Sequence, residues 1–183
     1  MMRKVLLTFL LLYSSFLFAQ REKEKMEWNE NRPLTWEDFR GKPSSSSTYK
    51  ASTNSGISIG WSLSESGNKV VLVDYDVKAN FYPNNSWKKD NIVKKDFILA
   101  HEQLHFDISE LHARKLRKAL AEYEGGRDVQ KELTAIYRKY EQERTTMQNA
   151  FDAESNHSRI EQEELKWRDF VQKELQKYSK YAE

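Results

Sequence analysis

Cysteine is absent from this 183-residue chain. Disulfides and a lipidated cysteine anchor are therefore excluded, and stability must come from packing and from any metal the fold holds. Glycine and proline are scarce, with six and three residues, so few positions punctuate the chain. Histidine is scarcer than glycine, at four residues, and three of the four fall in the segment HEQLHFDISELH at 101–112.

A long hydrophobic run is missing everywhere except at the start. MMRKVLLTFLLLYSSFLFAQ carries Arg3 and Lys4, an apolar run from Val5 to Leu12, and small or apolar residues up to Ala19. That order predicts a signal peptide over residues 1–19. A spanning helix would need about 20 apolar residues, and Tyr13, Ser14 and Ser15 interrupt this one. Only two of the 30 basic residues and none of the 28 acidic ones lie in the leader, so cleavage leaves the two signs equal in number. No basic surplus then remains to favour nucleic acid or an anionic membrane as a partner. The expectation is an exported bacterial protein, periplasmic or extracellular, with no stable membrane insertion and one core.

Beyond the leader the chain falls into two styles. Residues 20–50 read as an N-terminal extension and loop, with a docked turn at TWEDFRGKP and a serine run after Pro43. From 51 onward a single domain is expected. Ile57, Ile59, Trp61 and Leu63 alternate with small or polar residues, and Val71, Val73, Tyr75, Val77, Ala79 and Phe81 alternate in a second run. ESGN at 65–68 supplies the turn of a hairpin between them. Beyond Pro83 helical spacing dominates from Lys94 to Tyr181, with a break near Gly125 and Gly126. The predicted architecture is α+β: a hairpin or small sheet, a long helix, then two or three C-terminal helices.

Turning about 100° per residue places Ala100, His101, Leu104, His105, Ile108, Leu111 and His112 on one inward stripe. His101 and His105 form HExxH with Glu102, and imidazoles on adjacent turns about 6 Å apart along the axis can share one zinc at about 2.0 Å. Glu102, roughly 100° round the helix, falls beside the metal and suits a general base that takes a proton from attacking water. His112 lies roughly 10 Å beyond His105, so a core or supporting role is expected. The metzincin continuation is excluded, since Ile108 and Leu111 stand where its glycine and third histidine would be. The third ligand must come from elsewhere. His157 is the only remaining histidine; Glu154 and Asp152 are the alternatives, and Asp152 could instead orient a ligand imidazole. Glu110 faces away and is expected to pair with Arg114, and Asp107 to make a solvent or loop contact.

Trp36, Asp38, Phe39, Gly41 and Pro43, the hairpin, HEQLHFDISE and FDAESNHS at 151–158 together resemble a bacterial family catalogued as a domain of unknown function and described as predicted secreted zinc-dependent proteases. Its members typically carry Tyr-Asp, then Thr, then His-Gly where this chain has Phe151, Asp152, Ser155, His157 and Ser158. The resemblance implies a zincin-like fold, Zn2+, and a ligand role for His157.

These readings converge on a metallopeptidase that hydrolyses peptide or protein substrates, with an extended substrate along the hairpin's edge strand. The rival is a non-catalytic exported module whose metal or histidine cluster holds helices together. His112, Tyr137, Tyr140 and Arg114 are candidates for stabilising the oxyanion.

Overall fold

The computed structural model describes residues 24–43, 45–67 and 69–183. The predicted signal peptide lies outside the described residues. Among them no helix is long and apolar enough to cross a membrane.

The hairpin is the longest β feature. β3 (Ser55–Ser66) and β4 (Lys69–Phe81) pair antiparallel, and the short β1 (Met26–Glu27) adds to the far side of β4, giving the order β1-β4-β3. Gly67 takes a positive φ of 63° at the turn, a backbone geometry that glycine adopts without a Cβ penalty. Val77, Ala79 and Phe81 are buried as the alternation requires. Farther out the phase changes. The register shifts beside Ser62/Leu63, so that Ser62 faces Asp74 while Leu63 faces Leu72. Val73 is therefore the extra residue of a bulge. Leu72, in place of Val71 and Val73, joins Tyr75 against the core, and Val73 is 58% exposed.

Three helices complete the α+β fold: α1 (Lys95–Ala121), α2 (Val129–Ser155) and α3 (Glu161–Lys177). The break at 122–128 falls at the predicted glycines, and Asp128 caps α2 by accepting from the Lys131 N–H at 3.1 Å. One apolar cluster lies between the sheet and α1, with Phe81, Phe106, Leu116 and Leu133 at its centre. A second joins the three helices around Phe151, Ile108, Leu111 and Val171. Every stripe residue from His101 to His112 is buried. Each fully buried large apolar side chain of this kind contributes about 1.5–3 kcal/mol.

The segment read as an extension packs into the same core. Leu34 and Phe39 are buried, Phe39 meets Phe81 edge-on at 5.2 Å, and Trp28 donates its indole N–H to Asp107 at 2.8 Å. Asp107 thus makes the loop contact expected of it.

A second, small sheet was not legible from periodicity, because its strands are two residues long. β2 (Ala51–Ser52) pairs antiparallel with β5 (Trp87–Lys88). On the other side of β5, Gly41 bridges Trp87, its N–H reaching the Ser86 carbonyl at 2.7 Å. A Cβ at Gly41 would lie 2.8 Å from that carbonyl oxygen, so only glycine permits the approach. The TWEDFRGKP segment therefore anchors the sheet whose outer strand is β2.

Candidate metal centre

HExxH sits in the N-terminal half of α1, and that stretch of helix is fixed from outside. The Glu102 carbonyl accepts from Thr53 Oγ at 3.1 Å, and the His105 carbonyl accepts from Gln148 Nε2 at 2.8 Å. Phe151 of α2, fully buried, packs against both imidazoles with ring centroids 4.5 and 5.2 Å away. The two imidazoles meet edge-on at 5.0 Å. Both are thereby oriented before any ligand arrives.

Asp152 follows Phe151 on α2. Among the described residues, one nitrogen of His101, one of His105 and a carboxylate oxygen of Asp152 lie within 4.8 Å of one another. Asp152 Oδ1 is 3.3 Å from His101 Nε2 and 3.2 Å from His105 Nε2. Donors at about 2.0–2.2 Å around one tetrahedral ion would be spaced on that scale.

His157 does not join that trio, although its Nδ1 is 3.3 Å from the same Asp152 oxygen. Glu154 is turned away, accepting from the Trp167 indole N–H at 2.9 Å on an exposed face. The helix ends at Ser155 without a glycine. Asn156, His157 and Ser158 instead take three successive left-handed conformations, at φ 48°, 50° and 64°.

Two buried carboxylate oxygens in this cluster, Asp152 Oδ1 and Glu102 Oε2, have no hydrogen-bond partner among the described residues. Three ring nitrogens surround Asp152 Oδ1, yet none is aligned to donate to it. Buried polar atoms are ordinarily paired, and leaving one unpaired costs about 1–3 kcal/mol. Two imidazole nitrogens, one carboxylate oxygen and an adjacent acidic base form a donor set that suits Zn2+. The residues present therefore fit the metal.

A supporting carboxylate was not anticipated. His101 Nδ1 bonds to Glu164 Oε1 at 2.5 Å, and Glu164 is fully buried on α3. This contact directs Nε2, the other ring nitrogen, to the Asp152 side, the arrangement that ligand histidines commonly share with a carboxylate. A sequence signal existed: Glu164 lies seven and eleven residues before the buried Val171 and Leu175, so it is an acid on an apolar stripe.

Electrostatics agree with this geometry. Burial opposes the charged form of His101, but the carboxylates of Asp152 and Glu164, with Glu102 nearby, outweigh it and raise the group to about 9. Burial likewise opposes charge on Asp152, while His101 and His105 hold its carboxyl well below the usual range.

None of the four expected oxyanion donors reaches this cluster. His112 Nδ1 is held by the Ile108 carbonyl at 2.9 Å, and burial, reinforced by Lys115 and Arg144, lowers it to about 4 despite that bond. Arg114 donates to Glu110 and to the Leu175 carbonyl, as the expected i,i+4 pair and more. Tyr140 packs against the sheet-side core. Tyr137 donates to the Ile57 carbonyl at 3.1 Å, while the Ile57 N–H donates to Glu141 at 2.6 Å. Those last two bonds correct the expected substrate edge. β3 is the hairpin's outer strand, but α2 already occupies its backbone groups at Ile57. A cleft of about 410 Å3 instead opens between HExxH and residues 48–53, with Asp152 and His157 in its lining.

No curated protein and no solved structure matches this chain. A family model described as "bacterial protein of unknown function (DUF922)" matches residues 34–158. That span begins at the buried Leu34, takes in the β3-β4 hairpin, the small β2-β5 sheet and all of HExxH, and ends at the left-handed turn carrying His157. Since it covers most of the chain, the protein is a member of this bacterial family of unknown function.

Proposed function

We propose that this protein is an exported zinc-dependent peptidase of the zincin type, with His101, His105 and Asp152 as metal ligands and Glu102 as general base. The observation that carries the reading is the pair of unpartnered buried oxygens, Glu102 Oε2 and Asp152 Oδ1, beside two convergent imidazoles. A purely structural cluster would pair those oxygens internally.

When bound, zinc would polarise the scissile carbonyl and lower the pKa of water at the site. The chain's own groups do the rest. Glu164 keeps His101 in the orientation that presents Nε2, and Phe151 holds both rings. Glu102 takes a proton from the attacking water as the new C–O bond forms. It then delivers that proton to the amide nitrogen as the C–N bond breaks.

β2 supports a peptide substrate. Lys89 N–H bonds to the Lys50 carbonyl at 2.9 Å and Ser52 lies opposite Trp87. Alternation in an antiparallel pair then directs the Ala51 N–H and C=O away from β5. Ala51 also lines the cleft, so an extended peptide can add there as a further strand.

The test is Glu102→Gln, which keeps size and metal but removes the base. Wild type and variant are incubated, zinc-replete, with a complex mixture of secreted proteins, and new peptide termini are compared by mass spectrometry. The expected loss is a factor of about 10² or more. Matching profiles would remove support for the peptidase and favour a metal-stabilised binding module.

A further inference from the structure

The proposed chemistry leaves one imidazole in the cleft without a task. We propose that His157 is the hydrogen-bond donor to the carbonyl oxygen of the substrate as water attacks, and is not a metal ligand. This rests on the peptidase reading.

Three observations lead there. First, His157 stands beside the proposed ligands without joining them: its side chain is 36% exposed, against 6% for His101 and 11% for His105. Second, its position is imposed. Three consecutive left-handed residues carry it, and its own N–H bonds to the Asp152 carbonyl at 2.9 Å, so the chain folds back directly over the ligand carboxylate. L-residues adopt this conformation singly and at a cost, and runs of it cluster at functional sites. Third, the ring stands between the proposed metal site and the segment leading into the strand proposed to hold the peptide. Nδ1 is 3.3 Å from Asp152, and the ring centroid is 4.4 Å from that of Tyr49, on the segment leading into β2.

Chemistry then selects the role. As the water oxygen bonds to the carbonyl carbon, the π electron pair moves to the carbonyl oxygen, which needs a donor. Glu102 can only accept at that stage. The Gln148 amide is already given to the His105 carbonyl, and His112, Arg114 and Tyr137 are engaged elsewhere. In the tautomer with its proton on Nε2, the His157 ring donates through Nε2–H, and Nδ1, 3.3 Å from Asp152 Oδ1, makes no hydrogen bond to it. The ring lends a hydrogen bond without giving up a proton.

Two variants separate donor from ligand. His157→Phe keeps the ring against Tyr49 without nitrogen, and His157→Asn keeps a residue type that tolerates the left-handed backbone. The cobalt-substituted mature protein is compared with each by visible d–d spectrum, and by calorimetric titration with a phosphinic dipeptide, whose tetrahedral phosphorus places an oxygen where the attacked carbonyl oxygen would be. The expected result is an unchanged spectrum and metal affinity within threefold, with the phosphinic peptide bound at least tenfold more weakly by both variants. In any peptide assay, kcat should fall far more than KM changes. A changed cobalt spectrum or a tenfold loss of metal would make His157 a ligand and overturn the proposal. Equal binding of the phosphinic peptide by wild type and variants, or none by either, would overturn it too. Failure of wild type to take up metal at all would instead sink the peptidase reading beneath it.

Discussion

The two halves of α1 treat buried charge in opposite ways. In the C-terminal half, Glu110 accepts from both Arg114 and Arg117, at 2.8 and 3.1 Å. Other N–H groups of the two guanidiniums donate to the carbonyls of Leu175, Val77 and Tyr181. In the N-terminal half, Glu102 and Asp152 are left with unpartnered oxygens beside His101 and His105. One helix thus contains a saturated network that ties α3 and β4 together, and an unsaturated one that faces a cleft. Saturation marks structure; unsaturation marks a place for something else to bind.

The comparison breaks most sharply through stability. Glu110→Ala leaves Arg114 and Arg117 buried without their carboxylate and should cost about 3–5 kcal/mol, read as a lower urea midpoint. Glu102→Gln, equally buried, should leave the midpoint of the metal-free protein unchanged or slightly raised, since it removes a buried charge whose Oε2 has no hydrogen-bond partner. Equal losses from the two substitutions would erase the distinction.

Next in size is a pH effect on the saturated side. His112 titrates at about 4 in the fold and about 6.5 unfolded. Below 6.5 the unfolded chain therefore binds a proton that the native one refuses. Stability from this group is complete above pH 6.5, declines as pH falls towards 4, and is then fully lost, amounting to about 3 kcal/mol. His112→Gln should remove that slope from urea melts taken between pH 4 and 7.

Smaller again is the contribution of Glu164. Glu164→Gln preserves an acceptor for His101 but removes the charge, and should weaken zinc binding about tenfold, measured by competition with a chelator. Undiminished affinity would reduce Glu164 to a packing residue. At the far end, Asp169→Asn breaks the exposed pair with Lys173 and should shift neither melting nor metal affinity measurably.

How much of this was written in the sequence depends on range. The hairpin, the stripe from His101 to His112 and the break near Gly125 arise from local periodicity, and the structure has them. Val73 departs from its strand's phase because a bulge is a property of two strands together. β2 and β5 are too short to have a period. At the site, HExxH was legible because i and i+4 share a helical face. The partners were not: His157 stood out as the one histidine left over, whereas proximity singles out Asp152, on the last turn of α2. Glu164 was masked by the acidic residues around it, although its spacing from Val171 and Leu175 put it on the buried side.

The proposed reading makes the unsaturated half of α1 a metal site closed by Asp152. Calorimetric titration of the metal-free mature protein with Zn2+ tests it most directly. The account predicts one zinc per chain in wild type, at least tenfold weaker binding in Asp152→Ala and in His105→Ala, and a thermal transition that rises with zinc only where zinc binds. No uptake by wild type, or an Asp152→Ala variant that binds zinc as tightly as wild type, would contradict it.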